Sequence, residues 1–447
     1  MVQSMPDLNK VAQSIPLKRE VLVLGGGVSG ITIADILARN GIHVTLVEKR
    51  KDLGGLSKQF CLFPSRPGDS DNRVSGKTIR LSESPHITLV TGAELVGMEG
   101  HFGSFQAKIR KESGEISLLF PSAVVVATGY ITKRDAKGIP DSRALAFLPD
   151  MERLIAETDD SGLLWDGKPL NTVTFLLDQA NDDIKIDTAT VFKQALALRQ
   201  KHNCLVYVLC KDLKVSFTSG ERLYRKAREA GVLFFKYDET PEYSLAGDRI
   251  CVALPDNTNL KKEEQEKITL IADLLVLPEV CLPDPEAEQL CRTLRLRMGK
   301  GGRFMDDNPQ FLRIRSNRRG VFVVGACRFP QLPAETLKEA EAAAQEITAL
   351  LAPGVYGCGP LVAEVNADKC ALCYTCPRLC PHSAIGIERY AGKNVYYVFE
   401  QGDGDSWNAA RVEPSACYGC GICVAECPAR AISLRGEDAL SLDAYAK

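Results

Sequence analysis

The sequence predicts an α/β fold: a doubly wound, Rossmann-like dinucleotide-binding domain, interrupted by a second α/β domain and followed by a small α+β cysteine-rich domain. Three observations predict it. The first is the glycine loop Gly25-Gly26-Gly27-Val28-Ser29-Gly30, set between a strand and a helix. The second is a separate alternation of strand and helix patterns between about residues 168 and 265. The third is a pair of cysteine runs, each spaced C-x2-C-x2-C-x3-C-P, that begin at Cys370 and Cys417. A chain of 447 residues has room for two or three domains of this kind.

Taken in order, residues 1–18 read as an N-terminal tail draped on another surface. The apolar run Val21–Leu24 suits a buried parallel strand, and Ile31, Ala34, Ile36 and Leu37 form one face of the helix after it. "HVTLVE" is the next strand, 105–120 a hairpin, and "AVVVATGY" (123–130) a buried strand ending in a glycine turn. The second domain reads as strand "NTVTFLL", helix "TATVFKQALALRQ", strand "CLVYVLC", helix "ERLYRKAREAG" and strand "VLFFKY". Residues 319–351 read as strand, turn and a long amphipathic helix, and "LLAPGVYGCGP" as a Gly/Pro linker. The expected boundaries are 19–165 and 269–352 for the interrupted domain, 166–268 for the insertion and 353–447 for the cysteine-rich domain.

The glycine loop has a physical logic. Glycines allow a tight turn and close approach to a pyrophosphate, and the helix start offers free N–H groups and positive dipole charge. Glu48 ends the next strand, 18 residues past Gly30, where a carboxylate accepts hydrogen bonds from ribose hydroxyls. Three further features, Gly54-Gly55, the Ala127-Thr128-Gly129 turn and the "VFVVGA" strand (321–326), resemble the two-dinucleotide-binding flavoproteins of the thioredoxin-reductase and glutathione-reductase type. That resemblance implies FAD on the first loop. The implied contacts are Gly25, Gly27, Val28, Ser29, Gly30, Glu48, Lys49, Gly54, Gly55, Thr128, Gly129, Gly325, Ala326 and Pro333, with the helix from Pro333 aimed at the flavin ring. The chain departs from the pattern at Gly325-Ala326, where many relatives carry Gly-Asp. In the inserted domain "VTFLLD" is followed by "QANDDIKID", without glycine and rich in acids, which argues against an NAD(P)H site there.

Sixteen cysteines are many for a reducing cytosol, and nine of them follow residue 350. Zinc also uses CxxC pairs, but two full copies of this cadence point to two [4Fe–4S] clusters. In such runs the fourth cysteine ligates the other cluster. One cluster is then assigned to Cys370, Cys373, Cys376 and Cys427, and the other to Cys417, Cys420, Cys423 and Cys380. The connecting segment 381–416 is long, and "NVYYVFEQGDGDSWNAARV" reads as an inserted hairpin that offers a docking surface.

Together an FAD domain, an inserted α/β domain and a C-terminal two-cluster ferredoxin-like domain resemble the A-type subunit of heterodisulfide reductase over nearly the whole chain after residue 18. The stretches that carry it are "VLVLGGGVSGITIADILARNGIHVTLVEK", "FTSGERLYRKAREAGVLFF" and "GVFVVGACRFPQLPAETLKEAEAAA". The resemblance implies an electron-transfer subunit that works in a complex with other redox subunits: heterodisulfide reductase B- or C-like, or linked to a hydrogenase or dehydrogenase. Some members of the family bifurcate electron pairs at FAD. Family members also carry extra cluster cysteines where this chain keeps only Cys61, and Phe329-Pro330-Gln331 stands where relatives often have Gly-Pro-Lys. The chain therefore reads as a trimmed relative. The alternatives are a stand-alone NAD(P)H-dependent flavoprotein reductase, a subunit of a quinone-interacting complex, and a structural hub in which the cofactors never cycle.

The rest of the sequence excludes more than it adds. A net charge of −2 argues against nucleic acid. No apolar run reaches the roughly 18 residues of a membrane span, and the start lacks a signal core, so a cytoplasmic protein is expected. The seven cysteines before residue 350 read as small buried hydrophobes, with Cys327 nearest the flavin turn. His382 is expected at the surface. Arg292, Arg295, Arg297, Lys300, Arg303, Arg313, Arg315, Arg318 and Arg319 are expected to form a solvated basic face.

Overall fold

The computed structural model describes residues 14–56, 81–158, 162–177, 185–255, 267–299, 301–358, 361–391 and 406–435. Cys61, Lys300, most of the acidic turn after Leu177 and residues 394–405 of the expected 394–412 hairpin lie outside them.

Val21, Leu22, Val23 and Leu24 are buried on both faces of the strand Glu20–Leu24, as a central parallel strand requires. Each such side chain contributes about 1.5–3 kcal/mol by leaving water. The sheet runs Val321–Val323, Ala123–Val126, Glu20–Leu24, His43–Glu48, Ile87–Thr91, all parallel. The strands that follow directly, His43–Glu48 and Ile87–Thr91, extend one side of Glu20–Leu24, and the later ones extend the other. The order therefore reverses beside that strand, and a crevice opens at the carboxyl ends of Glu20–Leu24 and Ala123–Val126. Helix Val28–Arg39 covers the sheet with Ile31, Ile33 and Leu37. It packs on helix Pro333–Leu351, whose small Ala340, Ala343 and Ala344 are fully buried.

The second sheet runs Leu145–Phe147, Leu274–Leu277, Thr172–Leu176, Leu205–Cys210, Leu233–Lys236, again all parallel. It reaches beyond the 166–268 expected for the insertion at both ends. Three or four residues are too short to display a period, so neither Leu145–Phe147 nor Leu274–Leu277 announces its sheet. The chain passes between the two domains through Tyr130–Lys133 and Val280–Pro283, which pair antiparallel. The expected 105–120 hairpin forms as Gln106–Lys111 with Ile116–Leu119, and Ala93–Glu99 adds a third strand.

In the cysteine-rich domain each cysteine run leads into a short helix, Thr375–Leu379 or Ile422–Ala425. Ala363–Val365 pairs with Ile432–Leu434, and Ile385–Ala391 with Ser406–Val412. The core joins Val362, Ile385, Ala409, Ala410 and Ile432 to Cys370 and Cys423. The N-terminal strand Ser14–Pro16 pairs antiparallel with Val355–Gly357, the strand between the two domains. Leu17 sits in the core of the glycine-loop domain while Ile15 packs on that of the cysteine-rich domain. Among the described residues no helix is long and apolar enough to cross a membrane.

Candidate flavin and cluster sites

The glycine loop sits at the crevice, and each of its glycines has a different reason to be there. Gly25 has φ +107°, and a Cβ on it would lie 2.4 Å from the Ala127 carbonyl oxygen. A Cβ on Gly30 would lie 1.9 Å from the Gly25 oxygen. Gly27 caps helix Val28–Arg39 with no side-chain bond, and a Cβ there meets nothing within 4 Å. The loop is thus tight underneath and open at the helix start, which is the shape a pyrophosphate needs. Glu48 Oε2 accepts from the Gly26 N–H at 2.5 Å, and its Oε1 from the Arg50 N–H at 2.9 Å. The Gly54 N–H donates to the Gly26 carbonyl at 2.8 Å, and a Cβ on Gly55 would lie 3.3 Å from Gly27 Cα. Gly325, at φ +80°, comes so near Ser29 that a Cβ would lie 2.2 Å from its Oγ.

The structure therefore gathers Gly25, Gly27, Ser29, Gly30, Glu48, Gly54, Gly55, Thr128 and Gly325 around one loop, with half-buried Val28 in the first helical turn. Gly129 follows Thr128 at φ +72° with open space where a Cβ would stand. Pro333 opens helix Pro333–Leu351, and the carbonyl of half-buried Ala326 accepts from Arg303 at 3.4 Å. Lys49 is turned elsewhere: its Nζ lies 3.5 Å from Asp284 and 3.2 Å from Glu286.

Sequence reasoning missed what holds the last turn. With Ala326 in place of an aspartate, Glu339 from the following helix takes the Gly325 N–H at 2.9 Å and the Gln331 amide at 2.7 Å. Arg328, 4% exposed, pairs with Glu339 and with Asp306, the latter at 2.5 Å. The only sequence signal was an arginine beside an apolar turn. Removing one partner of a buried ion network leaves uncompensated charge. Arg328→Met should therefore lower unfolding stability by about 3–5 kcal/mol, read as a fall in the denaturant midpoint; an unchanged midpoint would remove the network from this account. Cys327, fully enclosed, has its thiol pushed up to about 11 by burial and stays protonated.

The cysteine-rich domain converges on a cavity. Cys380, Cys417, Cys420 and Cys423 line one pocket, together with His382 and Tyr418. Burial, then the neighbouring Cys417, Cys380 and Cys420, push the Cys423 thiol up to about 11. Cys380 thus stands with the second cysteine run, although it belongs to the first. On the other side, burial followed by Cys370 and Cys373 pushes Cys376 up to about 12. The exposed Cys373 is held below its ordinary value by the hydroxyl and N–H of Thr375. Cys427 joins the shared core, and its Sγ accepts from the Ala431 N–H at 3.3 Å. Further N–H groups point at sulfur: Ala384 to Cys380 at 3.3 Å, Gly419 to Cys417 at 3.4 Å, and Ala410 to Cys370 at 3.5 Å. Thiolates crowded together and backed by N–H donors are what an iron–sulfur cluster requires. Among the described residues no three His, Cys, Asp or Glu side chains are drawn together tightly enough for a single metal ion.

Two expectations are overturned here. His382 is buried, with Nδ1 2.9 Å from the Asn317 carbonyl oxygen. The basic set is no uniform solvated face. Arg318 is buried and donates to the Leu294 and Gly100 carbonyls at 2.8 and 2.7 Å, and Arg303 donates to the Cys281 carbonyl at 2.9 Å. Both results come from contacts between segments far apart in the chain.

Known proteins match these parts. The family described as a 4Fe-4S dicluster domain matches residues 369–432, and an NAD(P)-binding Rossmann-like domain matches residues 23–78. A protein of Archaeoglobus profundus, named as similar to the A-type subunit of heterodisulfide reductase, is 24% identical, with 84% of this chain and 72% of the relative covered. The A-type iron-sulfur subunit of the CoB–CoM heterodisulfide reductase of Methanocaldococcus jannaschii is 23% identical, covering 89% and 74%. Among solved structures, Lactococcus lactis thioredoxin reductase (FR conformation) superposes with TM-score 0.50 at 18% identity, over 75% of this chain and 99% of that one. That likeness is one of fold.

Proposed function

We propose that this chain, an oxidoreductase relative of the A-type subunit of heterodisulfide reductase, passes electrons between a bound FAD, two [4Fe–4S] clusters and partner redox subunits. The observation that most supports this reading is the convergence of Cys380 on Cys417, Cys420 and Cys423, in a domain carried by the same chain as the glycine loop. Bound flavin supplies two-electron exchange, and clusters supply one-electron transfer.

The chain's own residues do the holding. Gly25 and Gly30 shape the loop, Gly27 leaves the helix start open to a pyrophosphate, and Glu48 presents its carboxylate to a ribose. Gly54, Gly55, Thr128, Gly129, Gly325 and Ala326 bring backbone close to the rest of the cofactor. Pro333 starts a helix whose positive end favours negative charge nearby. Glu335, near that helix start, accepts from Lys185 at 2.8 Å, so the second domain is tied to this edge of the site. Cys370, Cys373, Cys376 and Cys427 hold one cluster, and Cys417, Cys420, Cys423 and Cys380 the other. Eight thiolates complete the ligation of both, which leaves the clusters to carry electrons rather than bind a substrate.

Anaerobic purification from the native host tests the reading. The expected preparation holds about one FAD and about eight irons with matching sulfide per chain, together with associated redox subunits. About four irons would remove one cluster, and stoichiometric zinc would remove both.

A further inference from the structure

A column of rings and one guanidinium runs from the glycine-loop domain to the wall of the cluster cavity. Phe102 meets Tyr356 edge-on, with centroids 5.1 Å apart. The Arg319 guanidinium lies 5.1 Å from the Tyr356 centroid and 4.3 Å from that of Tyr418. Tyr418 stacks on His382 at 4.1 Å and 19°. Polar bonds pin both ends of the contact: Arg319 Nη1 donates to the Ser415 carbonyl at 3.1 Å, and Asn317 Nδ2 to the Pro381 carbonyl at 2.8 Å. Tyr418 and His382 line the cavity of Cys380, Cys417, Cys420 and Cys423. A cation from one domain is thus clamped behind the cluster site of another.

We propose that Arg319 is a positioning residue that tunes this site: it makes the cluster held by Cys380, Cys417, Cys420 and Cys423 the more easily reduced of the two. The inference rests on the two-cluster reading above. Reduction adds one negative charge to a cluster, so a fixed positive charge nearby stabilises the reduced form; net charge, N–H···S bonds and exposure set such potentials. Arg319 is half-buried between two rings, which limits screening and holds its distance. At the other site Arg378 acts on Cys373 from an exposed position, and Arg411, which acts on Tyr390 near Cys370, is paired with Glu388 at 2.8 Å. Two carboxylates act against Arg319. Asp307 lies 3.9 Å from Arg297, and Glu413 accepts from the Ser415 hydroxyl at 2.8 Å. Each is engaged by its own partner, whereas the Arg319 guanidinium lies directly over the Tyr418 ring in the cavity wall.

The test is a potentiometric titration of the intact chain, followed by electron paramagnetic resonance after iron and sulfide have been counted. About four irons in the unaltered chain would sink the two-cluster reading itself; about eight leave Arg319 to be judged alone. Arg319→Gln should move one of the two signals to lower potential. At the unaltered midpoint its reduced-to-oxidised ratio should fall on the order of tenfold, the scale of one unit charge roughly 12 Å away at an effective dielectric of about 20. The signal that moves should be the one Cys380→Ser removes, and Arg319→Lys should restore most of the shift. If Arg319→Gln loses iron, Tyr356→Leu loosens the clamp without touching the charge and should move the same signal by less. Unmoved signals, or a shift in the signal that survives Cys380→Ser, would overturn the proposal.

Discussion

Gly27→Asp is expected to abolish flavin binding while the chain stays folded. Gly27 has φ −79° and ψ −172°, an extended conformation open to any residue, and nothing stands within 4 Å of a Cβ there. Aspartate is moreover a favoured helix N-cap, so the folded chain should gain roughly a few tenths of a kcal/mol at this position. Yet its carboxylate would take the N–H groups and the positive helix end that the pyrophosphate needs, and would add charge repulsion. Bound flavin, measured by absorbance after gel filtration, should fall at least about tenfold, with the circular dichroism spectrum and iron content unchanged. Gly30→Ala makes the contrast. Its Cβ would collide with the Gly25 oxygen at 1.9 Å, so both flavin and folded yield should drop. Flavin retained in Gly27→Asp would move the binding site away from this loop.

Cys380→Ser is expected to remove the cluster of the other cysteine run. Iron should fall from about eight to about four per chain, and the resonance signal that survives should be that of Cys370, Cys373 and Cys376. The reasoning is spatial. Cys380 follows the helix Thr375–Leu379, which turns it away from its own run and into the cavity of Cys417, Cys420 and Cys423. Its sulfur is already met there by the Ala384 N–H. Serine lacks the soft thiolate that iron requires, although it fits the same space. The reciprocal variant Cys427→Ser should leave the cavity cluster and lose the other one. Loss of the same signal from both variants would refute the exchange of fourth ligands.

The parts of the fold that could be read in advance were those whose cause is local. The glycine loop announces itself within six residues, because backbone sterics there admit no side chain at Gly25 or Gly30. The cysteine cadence is equally local, since a short loop must wrap three corners of one cube. What stayed hidden was set by partners remote in sequence. His382 finds its carbonyl 65 residues away, and Arg319 finds Ser415 96 residues away. The Asp306–Arg328–Glu339 network joins a loop, a turn and a helix, and no spacing in the sequence marks the three as partners. Leu145–Phe147 is a strand only because Leu274–Leu277 lies beside it.

The pairing of Ser14–Pro16 with Val355–Gly357 bears on how the protein is made. The first strand leaves the ribosome about 340 residues before its partner, a delay of roughly 20–70 s at ordinary elongation rates. Until then that stretch has no edge to pair with, while the glycine-loop domain between the two strands can already close. The clasp is therefore completed late in synthesis, and the cysteine-rich domain is tied down only once the fold it must dock against has been translated. Expressed alone from residue 353, that domain would keep its cysteines but present Val355–Gly357 as a bare strand edge, open to pairing with another chain.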